Sequence, residues 1–301
     1  MAPITRFGRS LSLVQSRLES RWRRSARWMR HRRRARVAAP PATTVSVTSI
    51  GGGVTEIRLL GGERRNVLGR STISAIEEAV ANPLAGTRAF VLTAEAPDFC
   101  AGYDLIEASR GVASDLIAYE ENFAPLRRSK IPLVAALQGN VIGGGLELAL
   151  SVDVRVASPE VRFAIPASKL GLVYSETGVR LVVSMLGEAL ARAMFVGGQD
   201  LKAEAALSIG LISEMVGREQ LRERAIALAT EIASWSALAS SGNRQILDVI
   251  AGRVEADTAA LRLASFADHG DLAQSIHQFV TRRRPVAPAP TSVTPTLPSD
   301  S

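Results

Sequence analysis

The chain has 301 residues, 47% hydrophobic and 22% charged, enough for one sizeable core or two small ones. No apolar run reaches the roughly 18 residues that span a bilayer, and the single cysteine, Cys100, excludes an intramolecular disulfide framework, so a reducing compartment fits best. The net charge of +7 sits at the ends, twelve arginines in residues 1–36 and Arg282 to Arg284 near the other terminus; the body between is acidic, 21 basic against 27 acidic residues, and implies no specific nucleic-acid ligand.

Residues 1–43 lack the continuous apolar stretch of an export signal and are expected to be a disordered basic extension. Their Arg-rich, acid-poor character also matches a mitochondrial transit peptide or a contact with an anionic surface, so the expected location is cytoplasmic with mitochondrial as the alternative. Val45–Ser49 and Val54–Leu60 read as strands around Gly51-Gly52-Gly53, and Ser71 opens an apolar-periodic helix, a ββα beginning. Arg88–Thr93 and Leu133–Leu137 are further strands, separated by a mainly helical stretch over 104–128. Val152–Ala157 and Val161–Ile165 read as strands, and Gly178–Leu186 and Ala203–Ser208 as helices. The alternation makes residues 44–220 an α/β core. From Leu221 only helical periodicity remains, so 221–284 is expected to be a helical subdomain in three segments, and 285–301, with five prolines, a disordered tail.

Two glycine-bearing turns follow apolar strands: Phe99-Cys100-Ala101-Gly102-Tyr103-Asp104 and Gln138-Gly139-Asn140-Val141-Ile142-Gly143-Gly144-Gly145-Leu146-Glu147. The second runs into a good helix former, so the N–H groups near Gly144 are helix-start donors suited to an anion or a carbonyl oxygen gaining charge. No Gly-Lys-Ser/Thr follows, which excludes a phosphate loop. Scattered histidines and one cysteine supply no metal cluster, and no Gly-x-Ser-x-Gly elbow joins Ser175 to His269 or His277 as a triad. Cys100 beside Phe99 reads as a small packed hydrophobe.

From about Val45 to Arg284 the chain resembles the crotonase (enoyl-CoA hydratase/isomerase) superfamily. The resemblance rests on Arg65-Asn66, on the strand running into Ala101-Gly102-Tyr103-Asp104-Leu105, on Pro132-Leu133-Val134-Ala135-Ala136-Leu137-Gln138-Gly139 leading to Gly143–Leu150, and on Phe195–Gln199 with Gly210-Leu211-Ile212. It implies a crotonase-like spiral of ββα units with a C-terminal helical subdomain. A trimer or dimer of trimers, with no cofactor beyond the coenzyme A of an acyl-CoA substrate, is implied with it. In that family a thioester carbonyl is held by two backbone N–H groups, which fall here on Tyr103 and Gly144. Hydratases add two glutamates: the first matches Glu147, but the second position is Ala167. Glu176, two residues past Tyr174, is a candidate substitute acid.

Phe163–Tyr174 instead resembles methylmalonyl-CoA decarboxylase, which would give Tyr174 a catalytic place near a reacting carboxylate, with packing as its bland alternative. Phe279 and Arg282 match the positions on the family's final helix that touch coenzyme A; Ala101 and Asp104 are further candidate substrate-binding residues, and Arg64 or Arg65 is a candidate phosphate partner with an ordinary solvated arginine as its bland alternative. The expected activity is hydration of a 2-enoyl-CoA. The alternatives are decarboxylation of a malonyl-type thioester and silent acyl-CoA binding.

Overall fold

The computed structural model describes residues 42–105 and 122–267, with single positions 272, 276, 277, 280 and 281 beyond. The expectations for residues 1–41, 106–121 and 285–301, and for Phe279 and Arg282, lie outside the described residues.

Strands β1 (Thr44–Gly51) and β2 (Val54–Leu60) form an antiparallel hairpin, its register shifted between Ser49 and Gly51. Helix α1 (Arg70–Ala81) returns the chain to β3 (Ala89–Ala94), which pairs parallel with β2. Helix α2 (Ala124–Arg127) precedes β4 (Leu133–Leu137), parallel to β3. Strand β5 (Asn140–Ile142) and helix α3 (Gly144–Leu150) lead to β6 (Val154–Ala157), again parallel. The larger sheet, ordered β1-β2-β3-β4-β6-β9, closes with β9 (Glu214–Met215). A smaller sheet joins β5, β7 (Arg162–Ala164) and β8 (Leu201–Lys202). Helices α4 (Ala167–Leu170), α5 (Glu176–Leu186), α6 (Glu188–Phe195) and α7 (Ala203–Ser208) fill the connections.

The near-continuous apolar runs of β3 and β4 arise because both faces are covered, as a parallel sheet requires. Phe90 and Leu92 of β3, with Leu133, Ala135 and Leu137 of β4, join the main core under α1 and α3. Their alternates Val91, Val134 and Ala136 meet helix α8 (Arg218–Ala233) on the opposite face. On α8 the buried residues Leu221, Ala225, Ala229 and Ile232 recur at helical spacing, and the two alanines let the helix lie close on the sheet. The stretch expected to be a helical subdomain from 221 opens within α8, whose buried face completes the core, and the first compact unit runs to Ala256. That unit includes helix α9 (Ala237–Ile250); helix α10 (Thr258–Ala267) belongs to the second unit, which starts at Asp257.

Candidate active site

Backbone pairing brings the two glycine turns together. Phe99 N–H donates to Gln138 at 2.7 Å, Cys100 N–H to Asn140 at 3.0 Å, and Ile142 N–H back to Cys100 at 3.0 Å, so the chain before the first turn runs as a partial strand beside β5. On its other side Leu68 N–H donates to the Gly102 carbonyl at 2.8 Å and Asp104 N–H to the Leu68 carbonyl at 2.9 Å. Asn66 anchors this edge by donating from Nδ2 to the carbonyls of Glu95 and Asp98 at 2.7 and 2.8 Å, which explains the Arg65-Asn66 motif. Gly102 has φ of 95°, and a methyl there would stand 2.8 Å from the Ile142 carbonyl oxygen and 3.5 Å from the Gly144 nitrogen. Only glycine permits that approach. Gly144 opens α3, so its N–H has no acceptor within the helix. The Tyr103 ring lies against its Cα, where an added methyl would meet Cζ at 2.7 Å.

Glu147, in the first turn of α3, is only 6% exposed. Its Oε1 accepts a short hydrogen bond from the Tyr174 hydroxyl, and the Tyr103 hydroxyl also bonds the carboxyl. Asn122 Nδ2 donates to the same Tyr103 oxygen at 3.4 Å. Burial disfavours the charged form, and the two phenols and the Arg127 guanidinium recover only part of that, leaving the carboxyl raised to about 7. Both phenols are pushed up by burial and by the neighbouring carboxylate. The Tyr174 ring meets Phe195 edge-on, centroids 5.2 Å apart at 63°, and a side chain on Gly178 would strike it at 2.7 Å. Beyond Tyr174 opens a cavity of ≈ 520 Å³ with Ala167, Val179, Val183 and Phe195 in its wall. Ala167 presents a methyl where a second carboxylate was the family expectation.

The remaining expected residues divide. Arg64 and Asp104 are brought together as an ion pair at 2.6 Å, both side chains mostly buried, so Arg64 is already engaged within the fold. Arg65 stays largely exposed, its Nε 3.6 Å from Asp98, and its carbonyl accepts from Ala101 N–H at 2.9 Å. Glu176 is not part of the site: it pairs with Arg180 one turn along α5, both side chains more than three-quarters exposed. Ser175 caps α5 by accepting from Gly178 N–H at 3.0 Å. Cys100 is fully buried and its thiol is pushed up to about 12 by burial, as befits a packed hydrophobe.

Two participants were absent from the sequence reading. The Tyr103 side chain carried no expectation, because its motif pointed only to its backbone. Arg127 donates to the Asn122 carbonyl at 2.9 Å and to Ser151 Oγ at 3.1 Å, and Ser151 Oγ donates to the Glu147 carbonyl at 2.8 Å. A basic residue at the end of a helical stretch gives no sequence signal of this.

Comparison with known proteins gives the family of the chain. A family model described as enoyl-CoA hydratase/isomerase matches residues 49–287. The probable enoyl-CoA hydratase echA6 of Mycobacterium tuberculosis is 35% identical over 200 residues, covering 65% of this chain and 79% of that protein. The 2,3-dehydroadipyl-CoA hydratase of Escherichia coli K12 is 35% identical over 159 residues, 52% of this chain and 62% of that one. Among solved structures, an enoyl-CoA hydratase subunit from Geobacillus kaustophilus superposes with a TM-score of 0.73 at 25% identity, over 81% of this chain and 97% of that chain.

Proposed function

Because the chain belongs to the enoyl-CoA hydratase/isomerase family of the crotonase superfamily, we propose that it hydrates a 2-enoyl-CoA with Glu147 as its single proton-transferring carboxyl group. The observation that carries this reading is the buried Glu147 carboxyl, held near neutrality and bonded to Tyr174. A general acid–base works best when its pKa lies near the operating pH.

The thioester carbonyl sits between the backbone N–H groups of Tyr103 and Gly144, each such donor contributing on the order of 3 kcal/mol once negative charge develops on the oxygen. Glu147 takes a proton from water as the water oxygen bonds to C3, and the C2–C3 π electrons move through C1 to the carbonyl oxygen. The enolate then collapses, and the protonated Glu147 returns its proton to C2. One carboxyl group closes the cycle, and so the reading survives a methyl at Ala167. The Tyr174 hydroxyl is committed to Glu147, which favours a supporting role over reception of a substrate carboxylate and makes decarboxylation the weaker reading.

Turnover of crotonyl-CoA, followed as loss of enoyl absorbance with mass detection of the added water, tests the proposal. Loss of CO₂ from methylmalonyl-CoA with no hydration would support the decarboxylase instead, and binding without any turnover the silent binder. We also propose a trimer or dimer of trimers, supported by the exposed apolar Leu247 and Ile250 of α9 and checked by sedimentation.

A further inference from the structure

A second cavity, ≈ 560 Å³, lies between the end of α2, helix α5 and the turn after α9. Its wall holds four guanidinium groups, Arg127, Arg128, Arg180 and Arg253, with the hydroxyl-bearing Thr177 and Ser184. Among the described residues, carboxylates pair with two of the four, Arg180 and Arg253, and leave Arg127 and Arg128 without an ion pair. Glu176 is taken by Arg180 on the exposed face of α5. Asp248 accepts from Arg253 Nε at 2.8 Å and lies 3.8 Å from the buried Arg244, whose nearer carboxylate is Asp153 at 2.7 Å. Arg128 is exposed at the cavity wall. Arg127 is half-buried, and burial first, then the like charges of Arg128 and Arg253, work against its ionisation while Glu147 favours it.

Converging like charges around open space raise the energy of the empty site and are relieved by an anion. Arg127 also ties this cavity to the active site, since its charge reaches Glu147 and its guanidinium holds Ser151 below that residue. We propose that the arginine-walled cavity is a subsite for a compact oxyanion, a carboxylate or phosphate, borne on the distal end of the acyl group whose thioester lies at Tyr103 and Gly144. The placement on the acyl group rests on the acyl-CoA reading given above; the anion subsite itself does not.

Calorimetry separates the two. Glutaryl- and adipyl-CoA are titrated against pentanoyl- and hexanoyl-CoA, with adipate and inorganic phosphate as free probes, on the full chain and on a variant carrying Arg128→Gln and Arg180→Gln. Both substituted side chains are exposed, so the fold is kept, and unchanged thermal unfolding checks it. The carboxylated thioesters are expected to bind about tenfold tighter than their neutral partners, the worth of one charge-assisted hydrogen bond, and the gap is expected to close in the variant. Equal binding of both thioester classes, with free adipate or phosphate bound by the wild type and lost in the variant, would keep the oxyanion site and make its ligand a free anion. If no thioester binds, the acyl-CoA reading fails while the free-anion arm still decides the subsite. No discrimination and no free-anion binding would overturn it.

Discussion

Among the described residues two glutamates are buried, and they are held in opposite ways. Glu56 of β2, 5% exposed, receives Arg222 of α8 through two bonds of 2.8 and 2.6 Å and the Thr93 hydroxyl at 2.7 Å. Burial opposes its charge, but Arg222, Thr93 and Arg58 outweigh burial and hold the carboxyl below its ordinary value of 4.5. Glu147, as little exposed but lying deeper, has only phenols as hydrogen-bond partners and a guanidinium that does not pair with it, and it rises to about 7. Depth and counter-charge together therefore decide which form a carboxylate takes. A full counter-charge makes Glu56 a fastener between sheet and helix, and withholding one keeps Glu147 able to gain and lose a proton near neutral pH.

The largest expected difference between the two is in turnover. Glu147→Gln keeps the shape of the site and removes its proton acceptor, so kcat for hydration of crotonyl-CoA should fall about 10³-fold while thioester affinity changes only a few-fold. Glu56→Gln should leave kcat untouched. Equal losses in both variants would erase the distinction.

Stability against pH sharpens it. Between about 4.5 and about 7 the folded chain keeps a proton on Glu147 that the unfolded chain has released, so this group's contribution to stability falls as pH rises through that window. At pH 8 Glu147→Gln should be more stable than wild type by on the order of 3 kcal/mol, and at pH 4 nearly equal to it, read from urea midpoints. Glu56 carries the reverse sign: its stabilisation is present above 4.5 and lost as pH falls through its lowered folded value. Glu56→Gln should therefore cost about 1–3 kcal/mol at pH 7, with the difference shrinking on acidification.

Much of the scaffold was legible because its strands are continuous apolar runs and its turns are glycine-marked. The run at Leu133–Leu137 coincides with β4 because burial on both faces leaves no polar alternate to blur it, and Val54–Leu60, which carries Thr55, Glu56 and Arg58, coincides with β2 because a glycine-marked turn bounds it. Strands β8 and β9, two residues each, and α6 were missed, being too short or too weakly bounded to register against their neighbours. At the site, Glu147 and the two turns follow from local motif. The Tyr103 hydroxyl, Arg127 and the Glu56–Arg222 pair do not, since each depends on contacts tens of residues apart along the chain. Glu176 failed as a candidate for a related reason: closeness to Tyr174 in sequence counted for it, but on α5 an arginine four residues on was the nearer partner.

The smallest effect expected is also the one that best separates a working tyrosine from a packed one. The Tyr174 hydroxyl donates to Glu147, and a donor bonded to the ionised form stabilises that form and lowers the carboxyl pKa. Tyr174→Phe keeps the ring against Phe195 and removes only this bond. The pH at which hydration reaches half its plateau should then rise by about one unit, the equivalent of a single charge-assisted hydrogen bond. Above the new midpoint kcat should remain within a few-fold of wild type, because the base and both backbone donors persist. Tyr103→Phe should move the midpoint the same way, since its hydroxyl bonds the same carboxyl. A midpoint that stays in place in both variants would mean that the phenols only pack, and the near-neutral carboxyl would then be owed to burial alone.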